Sequence, residues 1–264
     1  MEKINTDKLL KKNEEIIFST GFGEIDEFIQ NIEKGSIITI GARPAMGKTS
    51  FAFSIINYLI EQNKKVFYFS PASSIKRISK RLIAIKLGIN HFDFMKLNNV
   101  IKSGYDYYSD KELYISDNTN LTVEDIENEI KKNPPDVVFI DHIQLLKMPK
   151  APNFTDSINL AVQEIKRIAQ ETGVIFVILS QLSRAVESRI DKRPLLSDIR
   201  NSSLLEELSD VVMMIYREGY YNNNDETSKD YAEIIFRKNE FGDLPAILVK
   251  YKNGIFENMP EYTF

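Results

Sequence analysis

The chain has 264 residues, 43% of them hydrophobic, with a formal charge of -4, no cysteine and two histidines, His91 and His142. That length allows one sizeable α/β domain; the absence of thiols excludes disulfides, thiolate metal sites and cysteine nucleophiles, and two histidines leave little for a zinc site. Any metal is expected to be a hard cation held by oxygen, and any nucleic-acid contact a local patch and not a basic coat. No apolar run suits a membrane span, and MEKINTDKLLKKNEE lacks the apolar stretch of a signal peptide, so a cytoplasmic location is expected.

Residues 1–17 open with fifteen mostly charged and polar positions in which Ile4, Leu9 and Leu10 are the apolar anchors. They read as an arm or linker helix that either packs on a neighbouring subunit or frays in solvent; residues 18–264 read as the folded domain. Apolar runs rich in Val, Ile and Phe then recur as SIITIG (36–41), KVFYFS (65–70), DVVFID (136–141), VIFVILS (174–180) and DVVMMIY (210–216), the first four separated by segments of helical spacing. This alternation predicts an α/β fold with a mostly parallel sheet covered on both faces. NNNDETSKD (222–230) is an exposed loop between strands. AEIIFRKN (232–239) and AILVKYK (246–252) have no room for a crossover helix between them and predict an antiparallel hairpin at the sheet edge.

The first strand runs into GARPAMGKTS, which reads as G-x-x-x-x-G-K-[ST] with one extra residue between Gly41 and Gly47, ends in Lys48-Thr49, and is followed by the amphipathic segment TSFAFSIINYLIEQ. In that setting Gly41 and Gly47 let the backbone curl, so that its amides converge on phosphate oxygens at a helix N-terminus. The expected nucleotide-binding residues are Gly41, Ala45, Met46, Gly47, Lys48, Thr49 and Ser50. Lys48 is expected on the β and γ phosphates of ATP, with the Thr49 hydroxyl on Mg2+. Four apolar residues carry Asp141 to the end of a later strand, where an acid suits the magnesium shell. His142 follows, either as a general base or as a packing residue. The strand VIFVILS ends at Gln181, which either bonds the γ phosphate and a moving loop or satisfies local backbone groups.

Together these residues resemble the C-terminal ATPase domain of the DnaB-type replicative helicases, hexameric motors of RecA-like fold. The likeness runs from STGFGEID (19–26) through GARPAMGKT, DHIQLL, LSQLSRAVESRIDKRPLLSDIRNS and DVVMMIYRE to AEIIFRKN and the last strands, about residues 20–257. The P-loop is shared by many families, whereas DHIQLL followed by LSQLSR and DKRPLLSDIR is far more specific. No counterpart of the family's N-terminal collar precedes the match, so a motor domain standing alone is expected. The resemblance implies ATP and Mg2+ as cofactors. It implies as partners single-stranded DNA, further copies in a hexameric ring or helical assembly, and a replicative helicase, primase or loader. It assigns the DNA loop to residues 182–203, with Arg184, Arg189, Lys192, Arg193 and Arg200 as backbone contacts. Where relatives read Arg-Glu-Ser-Gly, this chain has Arg200-Asn201-Ser202-Ser203.

Two further departures concern hydrolysis. Relatives end the strand after the P-loop helix with Ser-Leu-Glu-Met, whose glutamate polarises water; this chain has Ser70-Pro71-Ala72-Ser73, and Ala72 can neither orient water nor take a proton. Relatives carry Lys-x-Arg, the arginine reaching a neighbouring subunit's site; here Lys238 and Asn239 precede Glu240. Arg237 could replace that arginine only if the strand register shifted. Lys48, Asp141, Gln181 and Lys238 remain as the catalytic candidates, and ATP binding with slow or absent hydrolysis is the expectation.

Overall fold

In the computed structural model, which describes residues 17–90, 106–200, 202–222 and 228–260, each apolar run of the sequence becomes a strand. The strands are β1 (Ile37–Ala42), β2 (Val66–Phe69), β3 (Leu113–Ser116), β4 (Val137–Asp141), β5 (Ile175–Gln181), β6 (Val211–Tyr216), β7 (Tyr231–Asn239), β8 (Ala246–Lys252) and β9 (Ile255–Glu257). They form one nine-stranded sheet in the order β3-β2-β4-β5-β1-β6-β7-β8-β9. Pairing is parallel from β3 to β6 and antiparallel from β6 to β9. Helices are α1 (Gly23–Ile29), α2 (Lys48–Glu61), α3 (Ile75–Lys86), α4 (Val123–Lys132), α5 (Phe154–Thr172), α6 (Ser203–Leu208) and the single turn α7 (Glu218–Tyr221). The arm at residues 1–16, His91, Asn201 and residues 223–227 of the polar loop lie outside the described residues.

Successive side chains of a strand point to opposite faces, which explains why the central runs are apolar throughout: both faces are covered. Val137 and Phe139 of β4 and Ile175, Val177 and Leu179 of β5 join the layer packed under α2 and α3. Val138, Ile140, Phe176 and Ile178 join the other layer, under α4 and α5. α4 begins with a capping box between Thr122 and Asp125, and α5 with Asn153 accepting the Asp156 amide, each satisfying a free helix-end donor.

Two edge strands extend the expected architecture. β3 is four residues long and half-exposed, and β9 is three residues long after a turn in which Asn253 and Gly254 both have positive φ. The β6–β7 pairing carries a register shift: Val212 faces Lys238 and Met213 faces Phe236, so Arg237 is the extra residue of a β-bulge.

Candidate functional site

The register of the three central strands sets the site. Ala42 lies opposite Gln181, and Asp141 opposite Leu179, so β1, β4 and β5 end side by side. Crevices in open α/β sheets lie outside such carboxyl ends, and a cleft of about 480 Å³ occurs there. After β1 the chain turns through Ala45 (φ 64°) and Gly47 (φ 99°) and enters α2 at Lys48. Gly47 is required twice: its φ is left-handed, and a Cβ would lie 2.8 Å from the Phe256 ring. No side chain caps the N-terminus of α2, which leaves its first-turn amides available to an anion.

Lys48, Thr49 and Asp141 meet in this cleft. Lys48 Nζ is 3.6 Å from Asp141 Oδ1, and the Thr49 hydroxyl donates to Asp141 Oδ2 at 2.7 Å. The buried Tyr68 hydroxyl donates to the same oxygen at 2.8 Å. Burial alone would push Asp141 up, but Lys48, the Thr49 and Tyr68 hydroxyls and His142 outweigh it and hold the carboxyl below its ordinary value. Burial lowers the Lys48 ammonium, with Asp141 opposing. Burial and the Lys48 charge push His142, which also lines the cleft, down to about 4, so its imidazole is neutral at pH 7. A hydroxyl beside an ionised carboxylate is a hard oxygen pair suited to Mg2+.

Of the expected nucleotide residues, Ala45, Gly47, Lys48, Thr49 and Ser50 line the cleft, as does Gln181; Gly41 and Met46 do not. Gly41 is inside β1, where a Cβ would collide with the Met214 sulfur and lie 2.9 Å from Leu182, so this glycine answers to sheet packing and not to the phosphate turn. Met46 is 1% exposed and belongs to the core. Gln181 is fixed through its amide, which donates to Gln144 Oε1 at 3.3 Å, while Gln144 Nε2 donates to the Ser180 hydroxyl. Ala72 is exposed in the turn before α3 and does not line the cleft. Lys238 is elsewhere, its ammonium on the Glu207 carbonyl at 2.7 Å and on Glu240 at 3.0 Å.

Besides Ala42, Arg43 and Pro44 inside the loop motif itself, sequence reasoning passed over three residues of this cleft: Arg77, Arg81 and Tyr251. Arg77 and Arg81 are one turn apart on α3, which packs against α2, so both guanidinium groups reach the cleft mouth. Arg81 donates to Ser50 Oγ at 3.1 Å and sits over the Phe53 ring; burial lowers its pKa. An i,i+4 pair of arginines on a helix whose Ile78 and Leu82 face the core was the available signal.

The segment after β5 is less free than its composition suggests. Arg189 makes a two-point contact with Asp198 (3.0 and 2.7 Å), and Arg193 another with Glu233 (2.8 and 2.6 Å). Lys192 lies over the Tyr221 ring. Arg184 and Arg200 are exposed and have no ion pair among the described residues. Of the five expected DNA contacts, these two are therefore the cations open to solvent.

A mostly parallel sheet with its phosphate-type loop between β1 and α2, an acid ending β4 and an antiparallel extension after β6 defines the RecA-like class of α/β proteins, as the motifs led us to expect. The chain belongs to the DnaB-like helicase C-terminal domain family, whose model matches residues 18–258. It is 34% identical over 253 residues to a probable replicative DNA helicase of Trieres chinensis and 31% identical over 266 residues to the replicative DNA helicase DnaB of Pasteurella multocida. Those alignments take in 88% and 92% of this chain but 55% and 56% of the relatives, so the chain spans about half the length of the curated relatives it matches. A solved ATPase domain matches with a TM-score of 0.88 at 30% identity, covering 97% of this chain and 96% of that one. A DnaB-like replicative helicase, solved in a study of its interactions with primase, also gives 0.88 at 30% identity over 97% of this chain and 65% of that chain. No helix among the described residues is long and apolar enough to cross a membrane.

Proposed function

We propose that this chain is a replicative-helicase motor domain that binds ATP with Mg2+ and holds single-stranded DNA, with hydrolysis slow or absent. The observation that carries the reading is the meeting of Lys48, Thr49 and Asp141 in one cleft at the N-terminus of α2, with an alanine and a glutamate where the family has a water-orienting acid and a finger arginine. Lys48 would sit on the outer phosphates as a point charge. Thr49 and Asp141 would hold magnesium, which neutralises charge between the β and γ phosphates when bound. Gln181, which lines the cleft, would meet the γ phosphate, and Arg77 and Arg81 would add positive charge at the mouth. His142, neutral at pH 7, has the protonation state of a base, yet it sits beside Asp141 and is equally served by packing.

Ala72 offers water no carboxylate where the family has its glutamate, and an arginine finger alone is worth about 10^3 to 10^5 in rate. Assembly would be a head-to-tail ring, hexameric by family likeness, or an open helix, because the family site is completed across a subunit boundary. The same two substitutions favour a second reading: an ATP-binding module that docks on a replicative helicase, primase or loader and uses nucleotide without turnover.

The test pairs ATP binding with ATP hydrolysis, with and without single-stranded DNA, in the chain as it stands and in Pro71→Leu/Ala72→Glu/Glu240→Arg. Expected are binding with little turnover in the first and a marked gain in the triple variant, larger than from Ala72→Glu or Glu240→Arg alone. Brisk turnover in the unaltered chain, or no gain in a variant that still binds ATP, would show that another group activates water.

A further inference from the structure

Arg43, in the phosphate loop, is 8% exposed, and its guanidinium is bound by the segment that leaves β5. Nε and Nη2 donate to Glu187 Oε1 at 3.0 and 2.7 Å, and Nη1 donates to the Leu182 carbonyl at 2.9 Å. The backbone of Arg43 closes the same loop, its carbonyl accepting the Met46 amide at 3.3 Å. At the far end, Glu187 belongs to a 3-10 turn, Arg184–Ser188, anchored by fully buried Val186. The next residue, Arg189, grips Asp198, whose carbonyl accepts the Ser183 amide. A chain of charged hydrogen bonds thus runs from the phosphate loop into the stretch that presents Arg184 and Arg200.

We propose that the Arg43–Glu187 pair is the positioning link by which occupancy of the phosphate loop is transmitted to residues 182–200, and by which a strand held there acts back on the loop. The inference rests on the nucleotide and DNA readings of these two regions. Its physical basis is the unlike ends of the pair. Arg43 is buried and bound three ways by a planar fork, which allows one geometry. The Glu187 side chain is 46% exposed, so water can take a released carboxylate, whereas release would strand the buried guanidinium and is costly at the Arg43 end. Any shift of the loop backbone at Arg43 therefore either drags the 3-10 turn or releases it, and both alter how Arg184 is presented. The other pairs of the segment cannot do this. Arg189–Asp198 is internal to it, and Arg193–Glu233 ties it to β7.

The experiment measures the affinity for a fluorescein-labelled oligothymidylate with and without a non-hydrolysable ATP analogue plus magnesium, and the affinity for the analogue with and without the oligothymidylate. A coupling of binding free energies is reciprocal, so both ratios must agree, and about fivefold or more is expected in the unaltered chain. Glu187→Gln keeps the shape and removes the charge; its ratio is expected to fall to near one, with each ligand's affinity alone staying within about threefold. Arg43→Lys keeps the charge and loses the fork, and its ratio is expected to fall as well. If Glu187→Gln lowers both affinities and leaves the ratio as it was, the pair is only a prop and the link is wrong. An unaltered chain that binds both ligands without coupling also overturns the link, whereas one that binds neither overturns the underlying reading of the two sites.

Discussion

Tyr68→Phe isolates one bond at the centre of the candidate site. The phenol is 1% exposed, its ring packs on Phe53 with centroids 5.2 Å apart, and its hydroxyl donates to Asp141 Oδ2 at 2.8 Å. Phenylalanine keeps the ring contact and deletes the donor. A hydrogen bond to a charged acceptor is worth about 1.5–3 kcal/mol, against roughly 0.5–1.5 for a neutral one. For a domain of this size, at about 2 °C per kcal/mol, the loss is expected to lower Tm by about 3–6 °C at pH 7. The pH dependence is the sharper test. Asp141 is held below its ordinary value, so its contribution is present above the unfolded carboxyl pKa of about 4 and is lost as pH falls through the folded value. Because the tyrosine hydroxyl is one cause of that depression, the variant should lose less stability on acidification than the unaltered chain. Urea melts taken downward from pH 7 should show the gap between the two proteins constant near neutrality and shrinking as pH falls through the folded Asp141 value of the variant and then that of the unaltered chain. A gap that stays the same at every pH, or one that widens in acid, would mean that the hydroxyl does not stabilise the ionised carboxylate.

Lys48→Ala is expected to weaken binding of a fluorescent ATP analogue by roughly 10- to 100-fold, the equivalent of a lost charged hydrogen bond, with circular dichroism unchanged; equal affinity would reject the site. Arg184→Ala with Arg200→Ala should reduce affinity for an oligothymidylate and flatten the log K against log salt slope by about 1.4, two phosphate contacts at roughly 0.7 each. Arg189→Ala should instead act mainly on stability, because it strands the buried Asp198 carboxylate, and a melting temperature that does not change would contradict this.

What the sequence made visible followed from locality. β1, β2, β4, β5 and β6 are continuous apolar runs because both sheet faces are covered; Lys48 and Thr49 were legible because they open a helix behind a glycine turn, and Asp141 because it ends a strand. β3 was not: four residues on the sheet edge, with Tyr114 45% exposed, carry too little apolar signal. The i,i+4 spacing of Arg77 and Arg81 puts them on one helix face, but that this face, with Tyr251, reaches the cleft follows from the packing of α3 and β8 around α2, which lies outside local sequence. Arg43 and Glu187 are 144 residues apart. Counting charges along residues 182–203 gave a basic excess but could not reveal that Arg189 and Arg193 are already engaged by Asp198 and Glu233.

The bulge in β7 bears on the finger arginine in the same way. A regular pairing would send Phe236 and Lys238 to one face of the sheet and Arg237 to the other. With Arg237 as the extra residue, Lys238 lies opposite Val212 and faces α6, its ammonium on the Glu206 and Glu207 carbonyls. Arg237 donates Nε to the Pro194 carbonyl at 2.6 Å. The register shift that would be needed to offer Arg237 as a substitute is thus present, and it commits that arginine to the chain's own loop. Glu240, half-exposed beyond the strand, pairs with Lys238 and cancels the one remaining ammonium. Between Arg237 and Glu240 the one ammonium is paired with a carboxylate and the one guanidinium is turned to the chain's own Pro194 carbonyl, so neither is presented as a free finger to a copy docking against this edge. Positive charge at the phosphate cleft would then have to come from within the chain instead of across a subunit boundary, and Arg77 and Arg81, which line the mouth of the cleft, are groups that could supply it.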